Sequence, residues 1–162
     1  MAIWILPLLL AACNPFAPAV EEGDALSLGD PTTIEGFFTA FQTAYELRDI
    51  ALYEPLLDSA FTFVFYDFDA QVEQRYGFEQ DLRTTRGLFT QSNLIQLQWN
   101  QILQQTVDDP PLRAQIVRPF NLTVSLDGGS VFRGSGNVNF LLVRGDTTAA
   151  WRLLRWRDES EL

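Results

Sequence analysis

The sequence predicts an α+β domain in which N-terminal helices pack on a curved antiparallel sheet. Apolar residues recur at helical spacing from Ile34 to Arg48 and again from Phe78 to Phe89. From Leu94 onward the pattern changes to alternation, and the long alternating runs are joined by Asp127-Gly128-Gly129 and Gly145-Asp146-Thr147. Helices followed by a succession of strands are the order expected of an α+β architecture.

The first helix is expected to start sharply. Asp30-Pro31 offers a cap and a first-turn proline, and Thr32-Thr33-Ile34-Glu35 has capping-box spacing. Ile34, Phe37, Phe38, Phe41, Ala44, Tyr45 and Arg48 then fall on one face. A shorter helix from Ile50 to Leu57 follows. Phe61 to Phe68, with aromatics at every second position, reads as a buried strand. The acids Asp67, Asp69 and Glu73 read as a solvated loop, since they lack the glycine and remaining ligands of a calcium site. A second amphipathic helix is predicted from Phe78 to Phe89, with Leu82 and Phe89 seven apart.

Leu94 to Gln105 puts Ile95, Leu97 and Trp99 on one face and Gln96, Gln98 and Asn100 on the other. Asp108-Asp109-Pro110-Pro111 is a loop. Leu112 to Leu126 and Val131 to Arg144 form a long hairpin about the Asp-Gly-Gly turn, and Ala149 to Asp158 is the last strand. Gly134 and Gly136 fall mid-strand and suggest a bulge or bend. Arg118, Arg133, Asn137 and Asn139 extend the polar face, and Arg152, Arg155 and Arg157 on the last strand could clamp an acidic ligand.

Composition narrows the chemistry. The 162 residues are 47% hydrophobic and 13% aromatic, enough for one packed domain, and the single cysteine allows no intramolecular disulfide. Net charge is −10, which excludes a nucleic-acid partner as a natural reading. Residues 1–81 carry 14 acids and 2 arginines, whereas residues 82–162 carry 7 acids and 9 arginines. There is no histidine and no lysine, so the commonest general base, the commonest transition-metal ligand and Schiff-base chemistry are all absent. No cofactor or metal is expected.

The apolar run Ala2–Leu10 leads into Leu10-Ala11-Ala12-Cys13, with Cys13 the only cysteine. Nine residues are too few to span a bilayer, and Pro7 would break a core helix. The segment resembles the lipobox of a bacterial lipoprotein signal peptide, although no Lys or Arg precedes it. The resemblance implies a signal peptide over 1–12, lipidation of Cys13 and a membrane partner through that anchor. Asn14 after the cysteine implies the outer membrane, facing the periplasm. Residues 13–30 read as a tether, 31–158 as the domain and 159–162 as a tail.

A second resemblance rests on Ala40-Phe41-Gln-Thr-Ala-Tyr45-Glu-Leu-Arg-Asp49, on Tyr53-Glu-Pro-Leu56-Leu57-Asp58, on Phe61-Thr-Phe63, and on Trp151-Arg-Leu-Leu-Arg-Trp156-Arg-Asp158. Together these resemble the opening and the last strand of the NTF2-like (SnoaL-like, cystatin-like cone) superfamily over residues 31–158. The resemblance implies helices covering a bent sheet around a conical pocket. It also implies comparison with ketosteroid isomerase, whose strand carboxylate would fall near Phe63 or Val64 and whose helix tyrosine near Phe41. None of these side chains can move a proton.

The expected pocket lining is Tyr45, Phe63, Phe65, Tyr66, Asp67, Trp99 and Phe140, joined by Phe61, and the same aromatics read equally as ordinary core. The function expected is a lipid-anchored, non-catalytic ligand-binding or interaction domain, with a small apolar ligand or a homodimer through the sheet as partners. The alternative is a small isomerase- or dehydratase-type enzyme using Asp67 with Tyr45 or Tyr66.

Overall fold

The computed structural model describes residues 28–67 and 70–159. Residues 1–27, where the leader, Cys13 and most of the tether are expected, lie outside the described residues, as do Phe68, Asp69 and residues 160–162.

Helix α1 (Ile34–Leu47) starts later than its capping sequence predicts. Thr33, not Thr32, is the cap, and its hydroxyl accepts the Gly36 N–H at 3.0 Å. Thr32 instead gives its N–H and its hydroxyl to the Asp30 carboxylate, holding a turn ahead of the helix. Glu35 leaves the box open because it pairs with Arg118. The helix ends at Arg48 in the left-handed conformation (φ 55°), where the backbone N–H returns to Ala44 and Tyr45 and the guanidinium reaches the Ser92 carbonyl.

The next helix, α2 (Ile50–Tyr53), is shorter than predicted. Pro55 and a 3-10 turn over Glu54–Leu56 redirect the chain straight into strand β1 (Leu57–Asp67). The segment read as a loop is a strand, β2 (Val72–Gly77), which returns antiparallel along β1. Helix α3 (Phe78–Gln91) buries Asp81, Leu82, Thr85 and Phe89 on one face.

Four further strands and one short edge segment complete the sheet. The predicted run from Leu94 to Gln105 divides into β3 (Ser92–Trp99) and β4 (Gln104–Val107), both on the same edge of β5 (Arg113–Leu126). The break lies opposite Pro119, which has no N–H for the ladder, while Arg118 Nε donates to the Asn100 carbonyl at 2.7 Å. β5 and β6 (Val131–Val143) form a hairpin whose register runs unbroken from Arg113↔Val143 to Ser125↔Val131. The pairing bulge suggested by Gly134 and Gly136 is therefore not there. The register instead shifts between β6 and β7 (Arg152–Asp158), at Leu141/Leu142, and again within β1 and β3.

The strand order is β2-β1-β7-β6-β5-β3, with β4 also on β5. The expectation of a purely antiparallel sheet needs correction, since β1 and β7 run parallel. One face of this mixed sheet takes the helices. Phe37, Phe38, Phe41, Ala44 and Tyr45 of α1 and Leu82 and Phe89 of α3 pack on Phe61, Ile95, Ile116, Phe140, Leu142 and Leu153. Among the described residues, no helix lies on the opposite face.

Candidate functional site

Two places in this architecture concentrate functional groups: the interior between helices and sheet, and the uncovered face of the sheet.

The interior is dominated by aromatic rings in mutual contact. Phe41 stacks on Tyr45 at 4.9 Å, Tyr45 meets Tyr53 at 5.4 Å and Phe89 at 5.2 Å, and Phe140 meets Trp156 at 5.3 Å. Trp99 lies 4.9 Å from Phe38 and donates its indole N–H to the Phe38 carbonyl at 3.0 Å. Phe63 stacks on Tyr76 at 4.8 Å, with Phe65 next to both. Of the expected lining, Tyr45, Phe61, Phe63, Phe65, Trp99 and Phe140 thus gather on the helix side: Tyr45, Phe61 and Phe140 belong to the buried core, Phe63 and Trp99 pack against it, and Phe65 is half-buried beside Phe63 and Tyr76. Tyr66, by strand alternation, points to the other face and is 48% exposed. Asp67 ends β1, where its carboxylate accepts the Ala70 N–H at 2.9 Å, and it is not among the partners of Tyr45.

A carboxylate that does meet a tyrosine is Asp81. It is 4% exposed, and Tyr53, fully buried, donates its hydroxyl to it at 2.8 Å. Burial pushes the Asp81 carboxyl up to about 6, opposed by that hydrogen bond. Burial also drives Tyr53 and Tyr45 well above the ordinary phenol range, with the Asp81 charge adding to both. Tyr76 is pushed up to about 12 by burial, with Asp81 and Asp158 adding to it. Trp156 presents a buried indole N–H without a hydrogen-bond partner among the described residues. The sequence held one sign of Asp81: Phe78, Asp81, Leu82, Thr85 and Phe89 are spaced at three and four, so the acid falls on the apolar stripe. An acid in a helix's first turn ordinarily reads as a solvated partner of the helix dipole, which masks that sign.

On the uncovered face, cross-strand register assembles arginines from distant parts of the chain. One row reads Arg75, Val64, Arg157, Asn139 across β2, β1, β7 and β6, and the next reads Thr62, Arg155, Leu141, Gln115. Arg113 stands two residues before Gln115 on β5. These groups line a groove of about 580 Å³. Glu73 pairs with both Arg75 and Arg157, and the Arg75 hydrogen bond holds its carboxyl below the usual range. Gln115 donates to Asn139 at 3.1 Å, and Asn139 donates to Glu159 at 2.8 Å.

The expected polar face is therefore largely present: Gln96, Gln98, Asn100 and Arg133 are exposed, and Asn137 and Asn139 are half-buried. Arg118 is the exception. It lies on the helix side, with its guanidinium 4.6 Å from the Phe38 ring centre and paired to Glu35. Arg155 and Arg157 line the same groove, but Arg152 lies before the register shift and lines other depressions. Arg75 and Arg113 escaped sequence reading because only sheet register brings them there.

The whole arrangement can be set beside known structures. A candidate scytalone dehydratase from Novosphingobium aromaticivorans superposes with a TM-score of 0.67 at 12% identity, covering 80% of this chain and 82% of that one. The fold is NTF2-like. A Salmonella enterica protein of the NTF2-like superfamily matches with a TM-score of 0.60 at 11% identity, covering 78% and 87%. An NTF2-like protein of unknown function in nutrient uptake, from Rhodospirillum rubrum, matches at 0.61 and 16% identity, covering 80% and 99%. No family profile and no curated protein matches the chain in sequence. At these identities the likeness shows the NTF2-like cone alone.

Proposed function

We propose that the chain is a lipid-anchored envelope protein whose NTF2-like domain binds rather than reacts, with the uncovered face of the sheet as its working surface. The observation that carries this reading is where the functional groups are accessible. On the helix side, the buried carboxylate and its tyrosine are spent on each other inside packed rings. On the uncovered face, four arginines border an open groove in a chain of net charge −10. Anchoring rests on the lipobox resemblance ending at Cys13.

A rival reading, an enzyme of the dehydratase or isomerase type, draws support from the Asp81–Tyr53 pair, whose carboxyl near 6 suits proton transfer close to neutral pH. That chemistry needs a route for substrate, and Tyr53 is 0% exposed.

Palmitate labelling and membrane fractionation of wild type and Cys13→Ser test the anchor. Label and membrane association are expected only in wild type, and equal labelling of both would end the claim. A photo-crosslinking residue at Gln115, compared with one at Gln91 on the far end of α3, tests the surface. Crosslinks are expected at position 115 and to disappear with Arg113→Glu and Arg155→Glu; equal crosslinking at both positions would reject it.

A further inference from the structure

Resting on the binding-module reading, we propose that the arginine groove holds a small anion bearing two or more acidic groups, gripped between Arg113 and Arg155. These two differ from their neighbours in one respect. Arg75 and Arg157 already share Glu73, whereas neither Arg113 nor Arg155 has an acid within ion-pairing distance among the described residues. Both are exposed, and both border a second depression of about 330 Å³, continuous with the first through Gln115 and Leu141, with Asp108 on its rim.

The spacing favours one ligand between them. Arg155 and Gln115 flank Leu141 in one row, and Arg113 is one two-residue step further along β5. Two strand spacings and that step separate the two Cα atoms by roughly 12 Å, a span over which two arginine side chains can reach one small ligand from opposite sides. Each guanidinium presents a planar fork matched to a carboxylate or phosphate. A single exposed ion pair is weak, so a monoanion gains little, whereas two contacts on one ligand share a single association cost. Leu141 and Val64 supply an apolar floor, and the groove has small-molecule size. Of the acids at the groove, Glu73 is taken by Arg75 and Arg157 and Glu159 accepts from Asn139, while charges beyond about 8 Å are largely screened at physiological salt. A second copy of this face would bring two sets of groove arginines into one interface.

Titration calorimetry on the full chain in detergent, with citrate and inorganic pyrophosphate as probes and acetate as the monoanion, tests the proposal. At least one multi-anion is expected to bind ten-fold or more tighter than acetate and to weaken as NaCl rises from 20 to 300 mM. The tighter of the two identifies carboxylate or phosphate as the preferred group. Arg113→Gln and Arg155→Gln should each reduce affinity about ten-fold or more, while Arg133→Gln, on the same face outside the groove, should not. Thermal unfolding of each variant verifies that the fold is kept. Citrate and pyrophosphate both binding no tighter than acetate, or affinity indifferent to Arg113 and Arg155, would overturn the proposal. Arginine-dependent crosslinking at position 115 despite that result would leave the binding-module reading standing and remove only the ligand class.

Discussion

Asp81 is an acid that the fold buries among aromatic rings, at a cost that depends on pH. Its carboxyl titrates near 6 in the folded chain against an ordinary value of 3.8, because ionising it places a charge among buried rings. The direction of the pH effect follows from this raised value. Well below pH 3.8 the group is neutral whether the chain is folded or not, and it opposes folding little. As pH climbs through 6, the unfolded chain has already released the proton while the folded one must ionise in apolar surroundings, so stability falls. A shift of this size corresponds to up to about 3 kcal/mol at pH 7.5. Asp81→Asn keeps an acceptor for the Tyr53 hydroxyl and removes the charge. It is expected to raise the unfolding temperature at pH 7.5 and to leave it nearly unchanged at pH 4. Asp30, Glu73 and Asp146, held low by hydrogen bonds from Thr32, Arg75 and Thr148, shift stability the opposite way, but equally in both proteins. The same gain at both pH values would refute the assignment. Residues of this kind are hard to read from sequence because an acid is taken to be exposed; only its coincidence with the spacing of Leu82 and Phe89 signals otherwise.

The elements with one strongly apolar stripe were readable: α1, α3 and the β5–β6 hairpin lie within a few residues of their expected bounds. Those that escaped lack such a stripe. β2 has only Val72 and Tyr76 as large apolar residues, and it is the charged, exposed edge of the sheet. The split between β3 and β4 depends on Pro119, nineteen residues after the Asn100 it pairs with. Local capping was ambiguous because two threonines stand side by side, and the structure distinguishes them. Thr33→Ala should cost about 1 kcal/mol of stability through the lost bond to Gly36, as N-caps typically do. Thr32→Ala, which only frees an exposed turn from Asp30, should cost less. Chemical denaturation of both variants checks the order, and a larger loss at Thr32 would restore the capping-box alternative.

Considered entire, the domain separates its chemistry by face, with rings between helices and sheet and arginines on the outside. The general cone was predictable from the order of elements and from the sequence resemblance. The groove was not, since it is composed by the register of β2, β1, β7, β6 and β5 together. The separation also bears on self-association. Pairing through the uncovered face would bring two sets of groove arginines into one interface, so the chain is expected to sediment as a monomer at 20 mM NaCl. Any dimer formed through this face should strengthen when citrate or salt is added. Self-association unaffected by either would place the contact elsewhere.

The parallel pairing of β1 with β7 has a consequence for how the chain is made. β7 is the central stave: β1 and β2 lie on one side of it, and β6, β5 and β3 on the other. Until Arg152–Asp158 has been synthesised, the ribosome has produced two half-sheets with no ladder between them, each with a greasy side uncovered. Biogenesis must therefore shelter nearly the whole polypeptide until its final strand arrives, and a premature stop just ahead of Trp151 should yield an aggregating product rather than a smaller version of the domain.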